Sequence, residues 1–277
     1  MIRIVTDSSC DLPGDLAAAH RIAVVPLTIR FGDEEFTDGV DLSGDEFWDR
    51  VAGDDALPET ATPSVGRFTE AYRELVSEGA DGIVVVCISE RMSGTAGSAR
   101  IAAEQVTAGI PIRVIDSETV TLGLGFAAIA AAERASAGAG IEAVVAATTE
   151  TAGRTDVFAA LDTLDHLHRG GRIGGAQAFI GDMLRVKPLI KIEGGVVEAA
   201  GRIRTRKRAV AAILDHLSEV GPQLERVGVI HSGSDDLDTI VEAATGAAPT
   251  PPIIARLGPV VGTHAGPGVL GVVSLLK

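Results

Sequence analysis

Aromatic residues make up only 3% of the 277-residue chain, and Trp48 and Tyr72 are each the single member of their kind. That leaves little material for stacking bases or sugar rings, so the core must be aliphatic. Positive charge is also in short supply: 24 Lys and Arg stand against 38 Asp and Glu, a net charge of −14. A field of that sign repels nucleic acid and anionic lipid surfaces unless a local basic patch overrides it, so no nucleic-acid partner is expected. No apolar run approaches the ~18 residues of a membrane span, and residues 1–6 lack a basic segment leading into such a run. The chain therefore reads as cytoplasmic, with no integral membrane segment. Cys10 and Cys87 have neither the paired spacing of a zinc site nor the number of a disulfide framework, and both read as small buried apolar residues. A Walker P-loop, a His-Glu-x-x-His helix and a Gly-x-Ser-x-Gly elbow are all missing, and no metal or cofactor is expected.

Glycine is what the chain has in excess, 33 residues of 277, which implies many tight turns or close backbone approaches. At roughly 150 residues per domain the length suggests two domains. β-Branched runs at 2–5, 22–29, 83–88 and 112–115 predict strands, and they alternate with helical patterns at 12–20, 65–76 and 94–105. Pro13 stands early in the first helix, Ser64 precedes the second as a cap, and Ser43 with Glu46 forms a capping box. Strand and helix in alternation predict a mostly parallel sheet covered on both faces. The Ala-rich stretch 121–147 is broken near Gly138 and Gly140, which predicts two helices meeting at a bend where the domains join. In the second half, Glu193-Gly194-Gly195 between 189–192 and 196–198 signals a hairpin. Helices at 206–217 and 235–244 and strands at 227–230, 253–257 and 269–274 complete it. The expected fold is therefore two-lobed α/β: a parallel-sheet N-terminal domain (1–148), an α+β C-terminal domain (149–277), and a cleft between them.

Several motifs carry chemistry, each beside a plainer reading. Gly123-Leu124-Gly125 is a degenerate dinucleotide fingerprint, for which close helix packing is the default explanation. Ser93, in the turn from a buried strand into an Ala-rich helix, either binds an anion at the strands' carboxyl ends or merely caps its helix. Thr60 and Thr62 are site candidates or simple loop residues. Arg172, between Gly170-Gly171 and Gly174-Gly175, brings a fixed cation to a cleft wall or lies in a surface turn. His264, in the Gly- and Pro-rich segment 258–268, is read as held in a rigid loop with a binding or proton-transfer role. Five of the seven residues at 202–208 are cationic, and the stretch either attracts an anionic surface or is a solvated helix start whose cations satisfy nearby acidic residues.

Taken together these segments resemble the DegV family. The resemblance rests on Thr6-Asp7-Ser8-Ser9-Cys10-Asp11-Leu12-Pro13, the Ser93-Gly94-Thr95 turn, Leu161-Asp162-Thr163-Leu164 running into Gly170-Gly171-Arg172-Ile173-Gly174-Gly175, and Gly262-Thr263-His264-Ala265-Gly266-Pro267-Gly268. It implies a two-lobed carrier, not an enzyme, that encloses one long-chain fatty acid and presents its carboxylate to a separate ATP-dependent fatty-acid kinase. The acyl phosphate so made feeds phospholipid synthesis. By motif, Thr60 and Ser93 bond the carboxylate from the first lobe, and Arg172 and His264 approach it from the second. Many members read Thr-Ser-Gln-Pro-Ser where this chain has Thr60-Ala61-Thr62-Pro63-Ser64, so the threonine ligand is Thr60 or Thr62. Many also have Tyr-Gln in place of Ala96-Gly97, which implies an altered acyl-chain preference. The resemblance places Arg202 and Arg204 at the surface offered to the kinase, and the protein is expected to act as a monomer.

An apolar chain can line a tunnel for an alkyl tail, and at ~0.8 kcal/mol per methylene a tail of about sixteen carbons supplies roughly 12 kcal/mol before ordering costs. A serine, a threonine, an arginine and a histidine suffice for the buried carboxylate. The rival reading is an acyl hydrolase or acyltransferase with Ser93 as nucleophile and His264 as base.

Overall fold

The computed structural model describes residues 1–53, 57–106, 109–182 and 186–277. The first half runs β1 (Ile2–Asp7), α1 (Gly14–Ala19), β2 (Ile22–Val25), β3 (Thr28–Phe31), β4 (Glu34–Thr37), α2 (Gly44–Gly53), β5 (Glu59–Ala61), α3 (Val65–Ser77), β6 (Gly82–Cys87), α4 (Thr95–Gln105) and β7 (Ile112–Asp116). Two helices, α5 (Leu122–Ser136) and α6 (Ile141–Gly153), lead into the second half. That half runs β8 (Thr155–Ala160), α7 (Asp165–Arg169), β9 (Lys187–Glu193), β10 (Val196–Ile203), α8 (Arg206–Val220), β11 (Leu224–His231), α9 (Leu237–Ala247), β12 (Ile253–Arg256), α10 (Pro259–Ala265) and β13 (Leu270–Leu276).

The first lobe is built on a parallel sheet in the order β2-β1-β6-β7. Every residue of β6 is buried because both faces are covered. Successive side chains point to opposite faces, so Ile83, Val85 and Cys87 pack with Phe68, Tyr72 and Ala99 of α3 and α4. Val84 and Val86 pack instead with Leu124, Ala128 and Val144 of α5 and α6. Ser64 caps α3 by accepting from the Arg67 amide, and Ser43 and Glu46 exchange the two bonds of a capping box. Cys10 and Cys87 are buried free thiols. The Gly-Leu-Gly stretch is a packing device: a Cβ on Gly125 would lie 2.9 Å from Leu12 Cδ2 and 3.1 Å from the Cys10 carbonyl.

The second lobe is a mixed sheet ordered β10-β9-β8-β13-β11-β12, antiparallel except where β11 meets β12. Alternation again sorts its side chains. Ala160, Val229 and Val272 pack under α8 and α9, while Val157, Ala159 and Val273 face the first half of the chain. There they join Ile29, Phe31, Phe47 and Trp48, so one apolar cluster spans the two halves.

Four expectations need correction. The run 22–29 is not one strand, because Pro26 has no amide to continue a ladder and the Leu27 amide turns to Ser8 Oγ at 3.1 Å. β2 stays in the parallel sheet, while β3 pairs with β4 and β5 in a three-stranded antiparallel sheet absent from the sequence reading. β8, central in the second sheet, was also unexpected. Finally, Pro259–Ala265 is helical, so His264 sits on α10 rather than in a loop. Among the described residues, no helix is long and apolar enough to cross a membrane.

Candidate ligand site between the lobes

Between the halves lies a cavity enclosing about 810 Å³ of empty space, part of it open to solvent. Ile88, Met92 and Val120 line it from the first half and Leu161, Ile190, Ile230 and Val260 from the second. The polar groups in its wall are Thr60, Ser93, Thr121, Arg172 and His264. Four of the five candidates from the sequence therefore share one cavity. Thr62 is exposed and outside its wall.

Each side chain is placed by a different element. β5 pairs Thr60 with Ile29, and Thr60 Oγ1 lies 2.8 Å from His264 Nε2. Helix α10, which carries His264, is fixed at its start by two bonds from the first half. Trp48 Nε1 donates to the Leu257 carbonyl at 2.9 Å, and the Gly258 amide donates to Asp11 Oδ1 at 2.8 Å. Burial, and after it the charge of Arg172 and the neighbouring His166, hold His264 down at about 4. Its imidazole is therefore neutral near pH 7, with one N–H to give and one lone pair to accept. Arg172 follows Gly171, whose φ of 69° turns the chain sharply. Its Nε donates across the join to the Met92 carbonyl at 3.0 Å, and Nη1 donates to the Gly170 carbonyl at 2.6 Å. Ser93 Oγ lies 2.8 Å from Thr95 Oγ1 and accepts weakly from the Thr95 amide at 3.4 Å, so it also serves as a loose cap.

This geometry does not assemble a serine relay. Among the described residues, Ser93 and His264 are not bonded to each other, and His264 Nδ1 is buried without a partner, so no carboxylate orients the ring. Nor could any group of three or more His, Cys, Asp or Glu among the described residues hold a metal ion.

Sequence reasoning missed Thr121. It is 1% exposed in the cavity wall, with φ 52° and ψ −140°, a region β-branched residues avoid, and its hydroxyl has no bond of good geometry. Asp11, beside it, also holds φ in the left-handed region at 49°. Burial lifts Asp11 to about 7, with the Thr121 hydroxyl and the Gly258 amide pulling the other way. Neither backbone conformation has a local sequence signal. In the basic stretch, Arg202 and Arg204 are exposed, and Arg204 makes no ion pair among the described residues. Arg206 is structural: it donates to Asp236, Ser234 and the Gly268 carbonyl at 2.9, 2.6 and 2.6 Å.

The family model described as uncharacterised protein, DegV family, matches residues 1–277. The chain belongs to the DegV family. A DegV domain-containing protein of Streptomyces coelicolor is 37% identical over 278 residues, covering 98% of this chain and 97% of the relative. Two solved structures share the two-lobed DegV fold along 100% of this chain and 99% of theirs. One, described as fatty acid binding of a DegV family protein from Thermus thermophilus, has a TM-score of 0.88 at 34% identity. The other, described as DegV, a fatty acid binding protein from Bacillus subtilis, has a TM-score of 0.89 at 32% identity.

Proposed function

We propose that the protein is a non-catalytic cytoplasmic carrier, without a cofactor and acting as a monomer, that encloses one long-chain fatty acid and presents its carboxylate to a fatty-acid kinase. One observation carries this reading: a single apolar cavity has Thr60, Ser93, Arg172 and His264 in its wall. The tail gives affinity through burial, and the polar groups give orientation. Arg172 supplies the countercharge, while the hydroxyls and the neutral imidazole supply hydrogen bonds. The related proteins from Thermus thermophilus and Bacillus subtilis, described as fatty-acid binding, support the choice of ligand. Native mass spectrometry checks it: one fatty acid per chain is expected, and a protein that stays unliganded after loading with several fatty acids sinks the proposal.

Arg202 and Arg204 are the docking surface in this reading, supported by their exposure in a chain of net charge −14. Arg204→Glu slows kinase-dependent phosphorylation while leaving fatty-acid binding intact. Wild-type turnover by that variant at low salt, where electrostatic docking counts most, removes the assignment.

A further inference from the structure

The apolar cavity does not end at its polar groups. A cleft open to solvent, enclosing about 830 Å³, shares Thr60, Arg172 and His264 with it and continues along Glu59, His166 and Arg169. The chemistry changes from one space to the other. Among the described residues, Arg172 is the one cation in the wall of the cavity, whereas the cleft adds Arg169 and the imidazole of His166, with Glu59 its one acid. Arg169 is exposed at the end of α7 and makes no ion pair among the described residues. His166 is partly buried, and its Nδ1 has no partner among them. A monocarboxylate is matched by Arg172 with the hydroxyls and His264, which leaves a second guanidinium without a task, beside the His166 imidazole that the Thr263 backbone steadies. Two forked guanidiniums beside imidazole donors suit a tetrahedral dianion better than a flat monoanion.

We propose that this cleft is an oxyanion subsite for a phosphate-class group, held by Arg169 and His166 beside the ligand carboxylate, with Arg172 shared between the two. The assignment rests on the fatty-acid reading of the cavity. Two sources supply this chemistry: phosphate free in solution, or a phosphoryl group joined to the acid as a mixed anhydride. Because three wall residues are common to both spaces, a group attached to the carboxyl carbon reaches the cleft while the tail stays in the cavity.

Three titrations on the full chain decide the matter. They use palmitate, inorganic phosphate added to palmitate-loaded protein, and a β-ketophosphonate of the same chain length, in which a methylene replaces the bridging oxygen of the anhydride. The wild type is expected to bind the phosphonate at least as tightly as palmitate. Arg169→Gln and His166→Phe are each expected to weaken the phosphonate about tenfold or more while holding palmitate within about twofold. Saturable phosphate binding to the loaded protein assigns the free source, and phosphonate binding without it assigns the joined one. Palmitate binding with no phosphonate binding, or with equal phosphonate affinity in all three proteins, overturns the subsite. Failure of palmitate itself to bind overturns the fatty-acid reading, and phosphate titrated into the protein alone, with and without Arg169, then decides the cleft independently. Arg169 is exposed, so its variant keeps the wild-type melting temperature.

Discussion

At the join, the first half of the chain presents oxygen, from Thr60, Ser93, Thr121 and Asp11, whereas the second half presents nitrogen, from Arg172, His264 and the Gly258 amide. Neither set is complete alone. Thr60 meets His264, the Met92 carbonyl takes a bond from Arg172, and Asp11 takes one from Gly258. The site therefore exists only where the lobes are docked, and the same contacts that hold the lobes together set the geometry offered to a ligand.

The largest test of that coupling is Trp48→Ala. The indole packs edge-on to Phe47, with ring centroids 5.0 Å apart, and its N–H bonds to Leu257 across the join. Loss of so large a side chain from the shared core should lower unfolding stability by about 3–5 kcal/mol in denaturant titration. If the lobes merely abut, a separate early transition will appear in place of a single shifted one.

Acidity separates the two halves next, because their buried groups respond with opposite sign. His264 is lowered from 6.5 to about 4, so between those values the unfolded chain binds the extra proton and stability falls as pH falls. Asp11 is raised from 3.8 to about 7 and Asp38 from 3.8 to about 6, each mainly by burial. In those windows the folded state holds the extra proton, so their contribution is lost as pH rises. His264→Gln should therefore steepen the loss of stability on going from pH 4 to 6, and Asp11→Asn should flatten it. Each change is a tilt of roughly 1–3 kcal/mol in melts across the window. Tilts of the same sign would show that the two halves are not opposed.

Ligand binding gives smaller effects. Arg172→Gln should cost about 1.5–3 kcal/mol of fatty-acid affinity by calorimetry, the range for a hydrogen bond to a charged group. Smallest is the threonine pair: Thr60→Val should weaken binding by about 1 kcal/mol, whereas the exposed Thr62→Val should stay within about 0.5 kcal/mol. The reverse order would move the carboxylate to the other threonine.

Local grammar was legible wherever a motif satisfies its own backbone. The Ser64 cap, the Ser43–Glu46 box and the Gly194-Gly195 hairpin turn all stand where their residues placed them. What escaped was structure made by neighbours. β8, with Thr155, Val157 and Phe158 beside two alanines, is too short and mixed to announce itself, and its place between β9 and β13 makes it a strand. β5 has three residues, too few to show a period. Helix α10 contains Pro259, two valines and Gly262, poor helix formers held in place by Trp48 and Asp11. The candidate residues in the cavity wall were readable as types, because Ser93, Arg172 and His264 stand beside or near glycines and Thr60 between prolines. Their partners lie up to 204 positions away, a distance no local pattern spans.

The hairpin tip carries a consequence for which mutations the protein can tolerate. Ser89 Oγ donates to the Gly195 carbonyl at 2.7 Å, and Arg91 Nη1 donates to that of Gly194 at 2.7 Å. Both glycines hold positive φ, 55° and 76°, yet they differ in the room around them. A Cβ on Gly194 would clear Arg91 by 3.6 Å, whereas one on Gly195 would stand 2.5 Å from Ser89 Oγ. Asparagine, at ease in the left-handed region, can replace the first but not the second. Position 195 thus gauges the gap between the lobes: any side chain there is a wedge at the join. In a saturation library selected for cavity binding, codon 195 should stay glycine while codon 194 drifts.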